Sequence, residues 1–206
     1  MNSIYAHSRF LCSAHKLSQL PPDEGIEVAF AGRSNAGKSS ALNTIAQSKA
    51  LAKVSRTPGR TQLINFFQVD DHRFLVDLPG YGYAKVPEAT RRHWQHTLSQ
   101  YLLTRKSLLG LFLIMDIRHA LQPLDWRMIE WCRNAGTRLH VLLTKSDKLS
   151  RSMALKALRE THRQLEQAQV EASLQIFSAL KHTGVEDAHS VLDEWFGFNR
   201  RPVSTR

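Results

Sequence analysis

The stretch that decides the fold is Gly32-Arg33-Ser34-Asn35-Ala36-Gly37-Lys38-Ser39, which joins an apolar run at residues 26–31 to a helical pattern at residues 38–47. It matches G-x-x-x-x-G-K-[ST] at every fixed position. The glycines let such a loop fold back so that successive N–H groups point inward, and the helix turns its positive end to the same point. We therefore predict a loop that binds a chain of phosphates. A chance glycine turn is the weaker alternative, because a strand and a helix flank the loop.

Two side chains at the end of this loop have predicted roles. Lys38 reaches the β and γ phosphates, which makes it the candidate catalytic residue. The Ser39 hydroxyl ligates Mg²⁺, a hard cation that prefers oxygen ligands. The loop alone separates neither ATP from GTP nor a kinase from a switch.

Apolar runs predict six buried strands, at residues 26–31, 63–69, 74–78, 109–115, 139–143 and 174–177. Only residues 70–73 separate the second run from the third, which is too little for a crossover helix, so this pair is predicted to be an antiparallel hairpin. The other runs alternate with helical patterns. The predicted fold is therefore α/β, with a mostly parallel six-stranded sheet, one antiparallel strand and helices on both faces.

A second phosphate motif, Asp77-Leu78-Pro79-Gly80, ends the third predicted strand. The Asp77 carboxylate is predicted to hold Mg²⁺ through water, and the Gly80 amide to sense a γ phosphate. Read alone, D-x-x-G is a common string and describes a plain turn. Its position at the end of the strand beside the phosphate loop favours the functional interpretation.

A base-reading motif, Thr144-Lys145-Ser146-Asp147, follows the fifth strand at the sheet edge where ligands bind in open α/β folds. Asp147 can accept hydrogen bonds from guanine N1–H and the exocyclic amine. Adenine has an acceptor at N1 and no amine at C2, so it would leave that carboxylate unpaired. Lys145 is predicted to lie over the base and Thr144 to tie this loop to the phosphate loop. The alternative for Lys145 and Asp147 is an exposed loop ion pair.

The sixth strand ends in Phe177-Ser178-Ala179-Leu180, where the Ala179 N–H is predicted to bind guanine O6. Phosphate and base motifs therefore follow several strands in the order that a guanine-nucleotide site requires. We predict a magnesium-dependent protein that binds and hydrolyses GTP.

Composition limits the partners and the compartment. The 206 residues include 28 Lys and Arg against 18 Asp and Glu, a net charge of +10 with a pI near 10.0. This excess is compatible with a polyanionic partner and equally with a role in solubility. Cys12 and Cys132 fit no metal-ligand spacing and are read as free thiols. No apolar run is long enough for a signal peptide or a membrane span, so we expect a cytoplasmic monomer without membrane contact.

The order of these motifs resembles that of Ras-like P-loop GTPases of the translation-factor class. The resemblance is closer to the EngB (YihA/YsxC) family of bacterial GTPases, and it extends over nearly the whole chain. Four segments carry it: residues 32–40, Thr57-Pro58-Gly59-Arg60-Thr61-Gln62, Asp77-Leu78-Pro79-Gly80-Tyr81-Gly82-Tyr83-Ala84, and residues 144–147.

The resemblance implies a domain organisation and a first switch. It implies a GTP-binding domain at residues 25–198, an extension at residues 1–24 packed on it, and a basic tail at residues 199–206. Thr61 becomes the second protein ligand of Mg²⁺, with Thr57 as the competing candidate. The predicted GTP-binding residues are Gly32, Arg33, Ser34, Asn35, Ala36, Gly37, Lys38, Ser39, Gly59, Arg60, Thr61, Gln62, Leu63, Asp77, Leu78, Pro79, Gly80, Thr144, Lys145, Ser146, Asp147, Phe177, Ser178 and Ala179.

One departure from the Ras pattern concerns hydrolysis. Tyr81 stands where a water-orienting glutamine is expected after Gly80, so the intrinsic rate is predicted to be low. In GTPases with a similar loop, an asparagine at the position of Asn35 helps to hold K⁺ against the nucleotide, so K⁺ is a second candidate cofactor. The alternative is that Asn35 only braces the loop through its own hydrogen bonds.

The resemblance also implies a role in assembly of the large ribosomal subunit and in normal cell division and septation. Ribosomal RNA, or a large-subunit precursor, is then the predicted partner beside GTP and GDP. Candidate RNA contacts are Arg91, Arg92, Arg105, Lys106, Arg151, Lys156, Arg159, Arg163 and the basic tail. A direct cell-division regulator that acts through a protein partner is the alternative. A small-molecule kinase is disfavoured, because the guanine-reading motif is present.

Overall fold

The computed structural model describes residues 2–48, 50–52, 63–82 and 88–198. Its strands are β1 (Arg9–Ala14), β2 (Ile26–Gly32), β3 (Ile64–Asp70), β4 (Arg73–Asp77), β5 (Leu108–Asp116), β6 (Arg138–Thr144) and β7 (Ser173–Ile176). Its α-helices are α1 (Lys38–Ile45), α2 (Glu88–Thr104), α3 (Pro123–Ala135), α4 (Arg151–Gln167) and α5 (Val185–Phe196). All strands belong to one sheet, in the order β1-β3-β4-β2-β5-β6-β7.

The predicted α/β class and the single antiparallel strand are confirmed. Strand β3 pairs antiparallel with both of its neighbours, β4 and β1, while the pairs β2–β4, β2–β5, β5–β6 and β6–β7 are parallel. The prediction of six strands is wrong, because β1 adds a seventh. Its six residues lie at the edge of the sheet and are mostly exposed, so they lack the long apolar run by which the other strands are recognised.

Helices cover both faces of the sheet, as predicted, and the alternation of side chains along β2 shows how. Ala29 and Ala31 belong to a core shared with α2, α3 and α4, while Val28 and Phe30 belong to a second core shared with α1 and α5. Successive strand residues point to opposite faces, so a strand covered on both sides must be apolar throughout. This explains why β2 reads as a continuous apolar run.

Residues before β2 also contact the rest of the chain outside β1. Tyr5 is fully buried, and its hydroxyl donates a hydrogen bond to Asp193 on α5 at 2.7 Å. Farther along, Arg105 donates to the carbonyl oxygens of Pro21 at 2.9 Å and Pro22 at 3.0 Å. In the described part of the chain, no helix combines the length and the apolar character needed to cross a membrane.

Parallel strands direct their carboxyl ends to the same edge of the sheet. The loops that follow β2, β4, β6 and β7 therefore meet there, and these loops carry the predicted phosphate and base motifs.

Candidate nucleotide-binding site

The phosphate loop contains two residues with left-handed backbone conformations. Asn35 has φ +63°, and Gly37, just before the first residue of α1, has φ +97°. Asparagine and glycine tolerate this conformation best, since other side chains clash with the backbone there. Left-handed residues turn neighbouring N–H groups to one side of a loop, which gives an anion-binding concavity at the start of the helix.

Lys38 and Asp77 form an ion pair at the mouth of this loop. The Lys38 ammonium contacts the Asp77 carboxylate directly, and the two side chains are only 11% and 5% exposed. Among the described residues, neither group makes another hydrogen bond. A cation and an anion with spare hydrogen-bonding capacity thus lie together where the phosphates and their metal are predicted to bind.

The chemistry of nearby donors fits Mg²⁺. The Ser39 hydroxyl follows Lys38, and Asp77 adds a carboxylate; both are the hard oxygen ligands that this ion prefers. Within residues 2–48, 50–52, 63–82 and 88–198, no group of three or more His, Cys, Asp or Glu side chains could hold a metal. A metal at this position would therefore need phosphate oxygens and water to complete its coordination.

The D-x-x-G segment docks on the phosphate loop through its backbone. Leu78 N–H donates to Phe30 O at 3.0 Å, and Tyr81 N–H donates to Gly32 O at 3.3 Å. In return, Ser34 N–H donates to Tyr81 O at 2.8 Å. Gly80 therefore lies beside the loop that is predicted to bind the phosphates.

The base-reading loop is attached to the phosphate loop from the other side. The Thr144 hydroxyl lies 2.5 Å from Ala36 O and 2.9 Å from Met115 O. Lys145 has a left-handed backbone, and its ammonium bridges Asn35 O at 2.5 Å and the Asp116 carboxylate at 3.0 Å. Lys145 thus pairs with Asp116 instead of Asp147, and the ion pair of the alternative interpretation is absent from this part of the chain.

Asp147 is oriented by the segment after β7. Its Oδ1 accepts a hydrogen bond from the Ser178 hydroxyl at 2.7 Å, whereas the one described group near Oδ2 is Lys148 Nζ at 3.8 Å. The same Ser178 oxygen accepts from Lys181 N–H at 3.1 Å, and Ser146 N–H donates to Phe177 O at 3.2 Å. One carboxylate oxygen is therefore fixed, and the other keeps most of its capacity to accept hydrogen bonds.

A cavity of about 920 Å³ lies between these loops. Its size suits a nucleotide, since ligand sites commonly measure about 300 to 1,000 Å³. Its lining includes Gly37, Ser40, Thr144, Lys145, Asp147 and Ala179. Phosphate and base motifs that are more than one hundred residues apart in sequence thus face one space.

The remaining predicted residues fall into two groups. Arg33, Leu78, Pro79 and Leu63 lie in or next to the segments just described, with Leu63 directly before β3. Gly59, Arg60, Thr61 and Gln62, the competing Thr57, and the tail at residues 199–206 lie outside the described residues.

Asp116 is a site residue that sequence reasoning missed. It ends β5, and its carboxylate accepts hydrogen bonds from Arg118 at 2.7 and 2.9 Å in addition to its contact with Lys145. Partial burial opposes its ionisation, but the hydrogen bonds from Arg118 and Lys145 outweigh burial and hold the pKa of Asp116 well below its usual range. Its position at the carboxyl end of a central strand was the signal that could have revealed it.

Comparisons with known proteins decide the family. The family model for 50S ribosome-binding GTPases matches residues 27–145. A probable GTP-binding protein EngB of Nitrosococcus oceani is 57% identical over 197 residues, which cover 96% of this chain and 98% of that protein. This chain belongs to the EngB family of GTP-binding proteins. Its EngB relative in Methylobacillus flagellatus is 56% identical over 93% of each chain.

Solved structures agree with the EngB assignment at the level of the fold. A crystal structure of a probable GTP-binding protein engB has a TM-score of 0.68 at 18% identity, covering 84% of this chain and all of that one. Era in complex with MgGDPNP and nucleotides 1506–1542 of 16S ribosomal RNA has a TM-score of 0.65 at 18% identity, covering 84% and 57%. The predicted Ras-like fold is thereby confirmed, while the family model and the EngB relatives confirm the EngB resemblance and GTP binding.

Proposed function

We propose that this EngB protein is a magnesium-dependent switch that hydrolyses GTP slowly and acts in assembly of the large ribosomal subunit. The observation that carries the nucleotide part is the convergence of Lys38, Asp77 and Asp147 on one sheet edge, each with spare hydrogen-bonding capacity. Buried polar groups are normally satisfied, so groups that keep free capacity are suited to a polar ligand, and Asp147 also lines the cavity.

Asp147 is the proposed guanine reader. With Oδ1 held by Ser178, the carboxylate plane is fixed, and Oδ2 can accept from a donor at the base edge. Guanine presents two donors there, whereas adenine would place a lone pair against the carboxylate. The Lys145 ammonium is held by Asn35 O and Asp116, between the base-reading loop and the phosphate loop. Its methylene stem is therefore proposed to lie over the plane of the base.

Lys38, Ser39 and Asp77 are proposed to manage the triphosphate charge, with Thr61 as a further magnesium ligand. Mg²⁺ would neutralise charge that builds up on the β and γ oxygens. Lys38 would bind the same oxygens, the Ser39 hydroxyl would be a direct metal ligand, and Asp77 would hold the metal through water. Lys38 and Asp77 contact each other directly. When a phosphate and a metal bind between them, Lys38 would interact with the phosphate and Asp77 with the hydrated metal, so two charge interactions would replace one.

Slow hydrolysis is supported by the direction of the Tyr81 side chain. Its hydroxyl donates to Asp125 on α3 at 2.9 Å, so it is engaged by the helix and not available to orient water at the phosphates.

We propose that K⁺ near Asn35 supplies part of the missing charge. Among the described residues, the Asn35 side chain makes no hydrogen bond, which disfavours the bracing alternative.

The proposed partner is ribosomal RNA. Helix α4 exposes Arg151, Lys156, Arg159 and Arg163, of which Arg163 pairs with Glu160 at 2.6 Å. Arg105, by contrast, is 6% exposed and pairs with the buried Glu27, so it is withdrawn as an RNA contact. The family description names a 50S ribosome, and the related fold of Era carries ribosomal RNA in its solved complex. A role in cell division would then follow from ribosome supply.

Sedimentation with ribosomal subunits tests the partner. We expect association with large-subunit precursors that differs between a GTP analogue and GDP and weakens with salt, with a log–log slope of roughly −0.7 to −0.9 per neutralised phosphate. Replacing Arg151, Lys156 and Arg159 by alanine should weaken it. The matched control replaces the exposed Arg127, Arg133 and Arg138, which removes the same charge elsewhere. Salt-insensitive binding would contradict the RNA proposal and favour a protein partner. Equal losses in both variants would contradict the assignment of the contact to α4.

A further inference from the structure

Tyr81 is attached to helix α3 through one buried carboxylate. Its hydroxyl donates to Asp125 Oδ1 at 2.9 Å, and Asp125 is 1% exposed. The other oxygen, Oδ2, accepts from Gln122 N–H at 2.9 Å, at the residue that precedes α3. The first turn of α3 and the D-x-x-G segment therefore depend on the same side chain.

Tyr81 is also attached to the phosphate loop on both sides of its backbone. Its N–H donates to Gly32 O at 3.3 Å, and its carbonyl accepts from Ser34 N–H at 2.8 Å, which forms an isolated parallel bridge between Arg33 and Tyr81. All the polar groups of this residue are thus used, and Gly80, one residue earlier, takes its position from them.

The chain turns immediately after this attachment. Gly82 has φ +81°, and a Cβ at this position would lie 3.3 Å from Leu124 Cδ1 and 3.9 Å from Arg33 Nε. The left-handed conformation favours glycine, because a side chain would be strained there.

The protonation of this cluster suits a lasting hydrogen bond. Burial, followed by the charge and hydrogen bond of Asp125, raises the pKa of Tyr81 well above its usual value, so the hydroxyl remains a donor. Burial also raises the pKa of Asp125, although the hydrogen bonds from Tyr81 and Gln122 and the charge of Arg33 oppose this. The carboxylate has its own donors on both oxygens, as a buried acid requires.

We infer that Tyr81 is a positioning residue for GTP: it holds Gly80 against the phosphate loop so that the Gly80 amide can meet a γ phosphate, and it links that amide to α3. The inference rests on the proposed γ-phosphate contact of Gly80. Tyr81 occupies the position where a water-orienting glutamine is expected. It does not orient water, and it holds the Gly80 amide in place instead.

The experiment compares Tyr81→Phe with the wild type in titrations with GDP and a non-hydrolysable GTP analogue. Phenylalanine keeps the ring and removes only the hydroxyl, and one hydrogen bond corresponds to about a 2- to 10-fold change in an equilibrium. We expect analogue affinity to fall by about this factor while GDP affinity stays constant. The matched control is Tyr101→Phe, because the buried Tyr101 donates to the buried Glu27 at 2.6 Å, away from the cavity.

A double-mutant cycle with Asp125→Asn separates positioning from stability. If Tyr81 acts through Asp125, the two substitutions should lower the analogue-to-GDP affinity ratio by less together than the product of their separate effects. An unchanged ratio in Tyr81→Phe, or the same change in Tyr101→Phe, would overturn the inference. A wild type that binds analogue and GDP alike in all metal conditions would instead overturn the proposed γ-phosphate contact itself.

Discussion

Two buried ion pairs, at opposite ends of the neighbouring strands β2 and β4, differ in how completely they are satisfied. Glu27 accepts hydrogen bonds from Tyr101, Ser107 and Arg105, at 2.5 to 2.9 Å, and Arg105 also donates to two proline carbonyls. The pair of Lys38 and Asp77 is nearly as buried, yet each member has only the other among the described residues. The first pair is complete without a ligand, and the second is not. Unused hydrogen-bonding capacity, more than burial, therefore distinguishes the nucleotide site from the scaffold.

The largest expected effects come from removing the cation of each pair. Removing one member of a buried ion pair costs about 3 to 5 kcal/mol. In Arg105→Ala we expect this loss in the free energy of unfolding, with GTP affinity almost unchanged. In Lys38→Ala we expect a loss of stability as well, because Asp77 is left without its partner, but here GTP affinity should also fall, because Lys38 is the proposed phosphate ligand. Urea unfolding without nucleotide and calorimetric GTP titration measure both quantities; unchanged GTP affinity in Lys38→Ala would show that the two pairs do not differ in role.

Ser39 follows Lys38 directly and should affect triphosphate binding more than diphosphate binding. Ser39→Ala removes a proposed metal ligand, so triphosphate affinity in Mg²⁺ should fall by about 1.5 to 3 kcal/mol, while diphosphate affinity falls less because the ion bridges β and γ oxygens. Titrations with and without Mg²⁺ provide the readout.

Thr61→Ala should spare GDP almost entirely; normal analogue binding in that variant would assign the second ligand to Thr57 or another residue.

In the base-reading loop, Ser178 fixes one carboxylate oxygen of Asp147, and the other oxygen is open to a ligand. Asp147→Asn should weaken GTP by about 1 to 3 kcal/mol and favour xanthosine triphosphate, which has a carbonyl where guanine has its amine. Competition between the two nucleotides measures this preference. Binding of ATP by the wild type as tightly as GTP would refute the assignment of Asp147.

The smallest expected effect concerns Asn35, whose exposed side chain lies at the phosphate loop. An arginine finger accelerates hydrolysis by about 10³ to 10⁵, and a loosely held K⁺ should reproduce only a small part, on the order of 10-fold. GTP turnover should therefore be faster in K⁺ than in Na⁺ at equal ionic strength. Asn35→Ala should remove the difference and keep GDP affinity; equal wild-type rates would indicate that a ribosomal partner completes catalysis.

The sequence predicted those parts of the molecule that depend on local backbone chemistry. The phosphate loop from Gly32 to Ser39 combines glycines, a cation and a hydroxyl at fixed spacing, so its motif and its flanking strand and helix could be read together. The central strands were recognisable because burial on both faces makes them apolar throughout.

Contacts between distant elements could not be predicted in this way. Asp116 and Asp125 belong to the site because β5 ends and α3 begins beside the phosphate loop. The end of an apolar run marks the position of Asp116, but its partner Lys145 and the partner of Asp125, Tyr81, are set by the topology. Arg105 looked like a surface cation in sequence, but the topology brings it to Glu27. Strand β1 was missed for the same reason, since it is defined by its partner β3 more than by its own residues.

Strand β1 has a consequence for any shortened form of this protein. Residues 9–14 occupy the outer edge of β3 and satisfy its backbone along five pairs of residues, from Arg9–Gln68 to Ala14–Ile64. A chain that begins at Gly25 would keep every nucleotide motif but would leave that backbone and the side chain of Phe67, now 2% exposed, open to water. Uncovered strand edges pair readily with other chains. The present edge, β1, is interrupted by a bulge between Phe10 and Cys12, which hinders such pairing, and the fragment would lose it. Such a fragment should self-associate as its concentration rises, so the first residues protect colloidal solubility although the described ones among them do not line the cavity.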